Sequence, residues 1–122
     1  MHQDQNHLPP AVLGVEDDPL VRLDIAIAMS DAGFAVIEAD CADAALEMLE
    51  TRSRISVVFT DIDMPGTIDG LELAHIVAQR WPHIPVLVTS GQKKPDSDEP
   101  KAFFPKPYSP AAVISTVRTL AA

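Results

Sequence analysis

Short apolar runs, most of them rich in β-branched residues, recur along the chain, each followed by acidic, proline, glycine or small polar positions. They fall at Ala11 to Val15, at Phe34 to Glu38 in a weak alternation, at Ile55 to Asp61, at Ile84 to Thr89 and at Ala102 to Phe104. Runs of this length suit strands buried on both faces of a parallel sheet. Between them the apolar positions change to helical spacing. Asp18 and Pro19 predict the N-cap and first position of a helix through Leu20, Leu23 and Ile27, which Gly33 ends in left-handed geometry. Asp40 predicts the cap of a second helix, Cys41 to Glu50, with Ala44, Ala45, Met48 and Leu49 facing in. Asp69 and Gly70 introduce a third through Leu71, Ala74, Val77, Ala78 and Trp81, ending before Pro82 because the residue preceding proline avoids helical geometry. Ser109 and Pro110 start the last helix, whose stripe is Val113, Ile114, Val117 and Leu120. The interval from Gln92 to Lys101 holds Pro95, Pro100 and alternating charges, and predicts a loop or at most one helical turn. Strands alternating with helices make right-handed βαβ units, so the expected fold is α/β: a doubly wound, five-stranded parallel sheet with helices on both faces.

A length of 122 residues with 47% hydrophobic content suits one domain with a real core. Met1 to Pro10 is polar and reads as a flexible N-terminal tail in which His2 and His7 are bystanders, leaving residues 11–122 as the domain. The formal charge of -9 argues against nucleic acid as a partner, because phosphate backbones are held by clustered Lys and Arg. The single cysteine, Cys41, excludes an internal disulfide and a cysteine metal cluster, and reads as a small core or cap-adjacent residue. No run approaches the roughly 18 apolar residues that cross a bilayer, and no signal-peptide core is present. The expected setting is the cytoplasm, away from membranes. His75 and His83 lack partners at useful spacing and read as surface histidines.

Open parallel sheets bind ligands beyond the carboxyl ends of their strands. Here those ends carry Glu16 and Asp17, Asp61 and Asp63, Ser90, and Lys106. Asp18 is taken up as a helix cap, which leaves Glu16 and Asp17 free for chemistry, the alternative being that all three acids only favour the helix start. Gathered with Asp61, they repel unless a cation intervenes, and hard oxygen ligands suit Mg²⁺. Lys106 supplies a fixed positive charge. A metal and a lysine beside a carboxylate are what phosphoryl transfer requires, with Asp61 attacking phosphorus and Ser90 donating its hydroxyl to a phosphoryl oxygen.

These residues resemble the receiver domains of two-component response regulators, over nearly all of Val12 to Leu120. Val-Glu-Asp-Asp-Pro (15–19) resembles the acidic pocket, which implies Glu16 and Asp17 as metal ligands. Thr-Asp-Ile-Asp-Met-Pro (60–65) resembles the phosphoacceptor segment, implying Asp61 as acceptor and metal ligand and the backbone carbonyl of Asp63 as a further ligand. Val-Thr-Ser-Gly (88–91) and Phe-Phe-Pro-Lys-Pro-Tyr (103–108) resemble the switch strand and the lysine motif, implying Ser90 and Phe103 as switch residues and Lys106 as the phosphate-binding lysine. The resemblance implies a flavodoxin-like sheet in the order 2-1-3-4-5, a Mg²⁺ cofactor, and a histidine kinase or histidine phosphotransfer protein as donor. The chain would be a single-domain receiver, a monomer or weak dimer, with a downstream protein as target and no catalysis beyond its own phosphorylation and dephosphorylation.

The turn Gly66-Thr67-Ile68 is longer than the family's, and the interval from Ser90 to Lys106 is short, so the fourth helix is expected to be short or missing. Gln92 and Asp63 are expected to flank the site. Two rival readings stand: a haloacid-dehalogenase-like phosphatase, whose Asp-x-Asp nucleophile motif Asp61 and Asp63 resemble, and a pseudo-receiver that binds partners without phosphorylation.

Overall fold

The central strands are apolar and β-branched on both sides, and they are buried on both sides. β1 (Ala11–Val15), β3 (Ile55–Asp61) and β4 (Val86–Ser90) are covered almost along their whole length, while β2 (Ala35–Ala39) and β5 (Ala102–Pro105) are half-exposed edges. In the computed structural model, which describes residues 9–52 and 54–121, the five strands run parallel in the order β2-β1-β3-β4-β5. Helices α1 (Pro19–Asp31), α2 (Ala42–Thr51), α3 (Gly70–Arg80) and α4 (Pro110–Ala121) complete the chain. The architecture is the expected flavodoxin-like one. The tail with His2 and His7 lies outside the described residues as far as position 8, whereas Pro9 and Pro10 accept hydrogen bonds from Arg54 Nη2 and the Ala35 amide.

Alternation along each strand sorts the core into two layers. Leu13, Val15, Val58 and Val88 point to one face, where Ala45 and Leu49 of α2 and Leu73 and Val77 of α3 close over them. Val12, Val57, Phe59 and Leu87 point to the other, under Ile25 and Met29 of α1 and Val113 and Val117 of α4. Burying one such side chain contributes roughly 1.5–3 kcal/mol.

One expectation is refined and one corrected. The helix through Leu20, Leu23 and Ile27 forms, but these side chains are 73%, 50% and 50% exposed, and Val21, Ile25 and Met29 face the sheet. The helix is apolar on several sides, so its pattern did not single out a face. Its phase is set by the short exit from β1, where the Asp18 carboxylate accepts from the Leu20 and Val21 amides. The cap of α2 is Cys41 rather than Asp40: Cys41 is extended, makes no side-chain cap bond, and its carbonyl accepts the first helical bond from Ala45.

The other caps stand as expected. Asp69 accepts from the Glu72 amide, Ser109 Oγ from the Ala112 amide, and Gly33 follows α1 with φ of 99°. No helix occurs between β4 and β5 among the described residues. That connection returns through Lys101, whose amide donates to Val86, and is tied to α3 by Glu99 on His75 Nδ1 at 2.8 Å. At the start of α3, Gly70 lets helix and β3 exit touch: its amide donates to the Ile62 carbonyl, and a Cβ there would collide with the Asp61 carbonyl and come within 2.7 Å of Ile62 Cα.

Candidate functional site

Register carries four chain segments to one end of the sheet. Val15 pairs with Thr60, Asp61 with Thr89, and Ser90 with Pro105, so Glu16, Asp61, Ser90 and Lys106 leave adjacent strands together. The ladder extends past the strands, with Ile62 donating to Thr89 and Lys106 to Ser90 through their amides.

Asp61 is buried at the end of β3. Its Oδ2 accepts from Lys106 Nζ at 2.8 Å, and its Oδ1 from the Asp63 amide at 3.0 Å. Lys106 Nζ also stands 3.6 Å from Glu16 Oε1, too far for a hydrogen bond but close enough for attraction. Burial alone would lower the lysine pKa; the bond to Asp61 and the charges of Asp61 and Glu16 outweigh it and hold the ammonium above its ordinary value.

Glu16 is only 2% exposed. Its Oε2 accepts from the Asp18 amide at 3.0 Å, and its Oε1 is buried with no hydrogen-bond partner. Burial pushes the carboxyl up to about 7; the Asp18 amide opposes this, the Asp61 charge adds to it, and Lys106 opposes it in turn. Glu16, exposed Asp17 and Asp61 offer carboxylate oxygens within 4.8 Å of one another. An orphaned buried oxygen among three converging carboxylates is a donor set for a hard divalent cation, and it fits Mg²⁺.

Ser90 is buried at the end of β4. Its hydroxyl donates to Asp63 Oδ2 and accepts from the amides of Gln92 and Lys93. The Asp63 carboxylate thus faces Ser90 and, at 3.9 Å, Lys93 Nζ, apart from the three clustered acids. Phe103 is half-buried against the α2 and α3 side of the core and lines, with Ser90 and Lys93, a cleft of about 260 Å³. All the singled-out residues therefore meet at one edge, Ser90 through Asp63 rather than directly at Asp61.

Two neighbours were given no role by the sequence. Arg22 donates to the Glu16 carbonyl at 2.9 Å and pairs with Glu38, bracing the acidic loop. Tyr108 packs edge-on against Phe59, and burial raises its pKa. Cys41 takes no part, His83 is exposed, and His75 pairs with Glu99.

A five-stranded parallel sheet in this order, with an acidic pocket and a lysine at its carboxyl edge, is the flavodoxin-like arrangement of a doubly wound α/β domain. Residues 12–117 match the response regulator receiver domain, and the chain belongs to that family. It is 34% identical over 114 residues to the transcriptional regulatory protein FixJ of Azorhizobium caulinodans, covering 85% of this chain and 51% of that protein. It is 30% identical over 116 residues to the sensor kinase CckA of Brucella abortus, covering 89% of this chain and 12% of that protein. The chain thus spans about half or less of the length of these relatives. A receiver protein from Sinorhizobium medicae superposes with a TM-score of 0.81 at 28% identity, over 93% of this chain and 94% of that one. No helix among the described residues is long and apolar enough to cross a membrane.

Proposed function

We propose that this receiver accepts a phosphoryl group on Asp61 from a histidine kinase or a histidine phosphotransfer protein, and that the aspartyl phosphate switches a protein-binding surface. The observation that carries this reading is the Lys106 ammonium 2.8 Å from a buried Asp61 carboxylate oxygen at the confluence of β1, β3, β4 and β5. A lone pair of the Asp61 carboxylate attacks phosphorus, the bond from phosphorus to the donor imidazole nitrogen breaks, and that nitrogen keeps the electron pair. Lys106 neutralises charge that grows on the phosphoryl oxygens, and the Asp63 amide fixes the orientation of the carboxylate. Glu16, Asp17, Asp61 and the main-chain carbonyl of Asp63 would hold Mg²⁺, which when bound supplies further charge neutralisation at the phosphoryl group. Ser90 then gives its hydroxyl proton to a phosphoryl oxygen, and Phe103 repacks in the cleft beside it. Water ends the signal by hydrolysing the acyl phosphate, so the chain catalyses nothing beyond its own phosphorylation state.

The setting we infer is cytoplasmic, the form a monomer or weak dimer, and the target a protein rather than nucleic acid or membrane. The match to a sensor kinase supports a donor of the histidine kinase type. A haloacid-dehalogenase-like phosphatase fits less well, because Asp61 ends the third strand of the chain, and its motif normally follows the first. A pseudo-receiver fits less well because Glu16, Asp17, Asp61, Ser90 and Lys106 are all retained. The test is labelling with a small acyl phosphate, with and without Mg²⁺, followed by mass mapping. Label on Asp61 that needs Mg²⁺ and vanishes in Asp61→Asn is the expected result; label at another residue overturns the assignment, and turnover of phosphate monoesters would favour the phosphatase.

A further inference from the structure

Asp63 and Ser90 stand at the exits of β3 and β4, and their side chains are joined before any phosphoryl group arrives. A serine hydroxyl has one proton to give and two lone pairs to accept with. In Ser90 all three are in use: the proton goes to Asp63 Oδ2, and the oxygen accepts from the amides of Gln92 at 3.1 Å and Lys93 at 2.9 Å. Ser90 is 1% exposed, which leaves water little access to the exchange. A phosphoryl oxygen on Asp61 needs that same single proton.

Resting on the reading of Asp61 as phosphoacceptor, we propose that Asp63 is a positioning residue whose carboxylate competes with the phosphoryl group for the Ser90 hydroxyl proton, so that switching exchanges one hydrogen bond for the other. The competition explains why a carboxylate two residues beyond the acceptor stands apart from the acidic cluster and faces β4. It also gives the displaced carboxylate somewhere to go. Lys93 Nζ is 3.9 Å from Asp63 Oδ1 on a half-exposed side chain, and it can close on Asp63 when Ser90 leaves. Lys93 and Ser90 both line the cleft that holds Phe103, so the serine, the lysine and the aromatic ring rearrange in one shared space. The phosphoryl oxygen wins because it is the more highly charged acceptor. Until then, the unphosphorylated chain keeps Ser90 withdrawn.

The test is a double-mutant cycle on the whole chain with beryllium fluoride and Mg²⁺ as the phosphoryl mimic, affinity being read from NMR amide shifts. Asp63→Ala removes both a competitor and a negative charge; in a Ser90→Ala background only the charge effect remains. The expected result is that Asp63→Ala tightens the mimic about five-fold more when Ser90 is present, the worth of one typical net hydrogen bond. Asp63→Asn, which keeps an acceptor oxygen without the charge, is expected to restore most of the competition. Equal tightening in the two backgrounds overturns the proposal and leaves charge as the whole effect. A second arm uses no mimic: freeing Ser90 in Asp63→Ala should speed hydrogen exchange at the Gln92 and Lys93 amides, and unchanged protection there overturns the proposal as well. If the unsubstituted chain binds no beryllium fluoride, the reading of Asp61 fails and the competition with it, while the exchange arm still shows whether Asp63 holds Ser90.

Discussion

At the scale of single residues, the chemistry rests on an imbalance of charge: three carboxylates converge and one ammonium answers them. Glu16 bears the consequence, with a carboxyl raised from 4.5 to about 7 chiefly by burial. A raised acid binds its proton more tightly folded than unfolded, so its contribution to stability is full below about 4.5 and is lost as pH climbs towards 7. In chelator-treated protein, urea titrations from pH 5 to pH 8 should show stability falling across that window, and Glu16→Gln should flatten the fall. A flat profile in the unsubstituted chain would contradict the raised carboxyl. Asp61, Glu16 and Lys106 were legible in the sequence because each sits just past the end of a short apolar run, and strand ends in such sheets are neighbours. The bond from Ser90 to Asp63 was not legible, since it depends on how β3 and β4 are staggered. Arg22 reaches a main-chain carbonyl six residues back, a contact for which no pattern of side chains gives a sign.

At the scale of elements, the sequence located every strand and helix but not every face. α1 was readable as a helix from its Asp-Pro start and glycine stop, yet its apolar residues occupy more than one side, so rotation had to come from the cap. The exposures of Leu20, Leu23 and Ile27 translate into a measurable contrast. Serine at any of these three should change unfolding free energy by no more than about 0.5 kcal/mol, as for ordinary surface positions. Ile25→Ala and Met29→Ala should each cost about 2–5 kcal/mol through the lost burial and the cavity left behind. Urea denaturation of the five variants settles the orientation of the helix, because the opposite ranking would put the other stripe against the sheet. The one-residue slip at α2 has a similar origin. Asp40 has the chemistry of a cap, but β2 runs on to Ala39, so the extended residue that starts the helix is Cys41.

At the scale of the whole molecule, the order β2-β1-β3-β4-β5 places β1 and β3 side by side in the middle of the sheet, so the loops leaving them bring Glu16, Asp17 and Asp61 together. The unfolded chain separates these acids, so a divalent ion bound by all three stabilises the fold by mass action. At a free Mg²⁺ concentration 100 times its dissociation constant, unfolding should cost about 2.7 kcal/mol more. Calorimetry with and without Mg²⁺ should show the corresponding rise in melting temperature, reduced in Asp17→Asn; an unchanged transition would argue against a shared ion. The molecule also departs from a regular alternation at one place, the helix-free return from β4 to β5. A helix there would act as a stiff rod, passing any movement of Ser90 across the surface to a distant rim. Without it, the return is held among the described residues to Ser90 Oγ by the Gln92 and Lys93 amides, to α3 by the His75–Glu99 pair and to the sheet by the Lys101 amide. Under the proposed function, a change at Asp61 is therefore expected to stay local, felt by the loop after β4 and the Phe103 ring beside it.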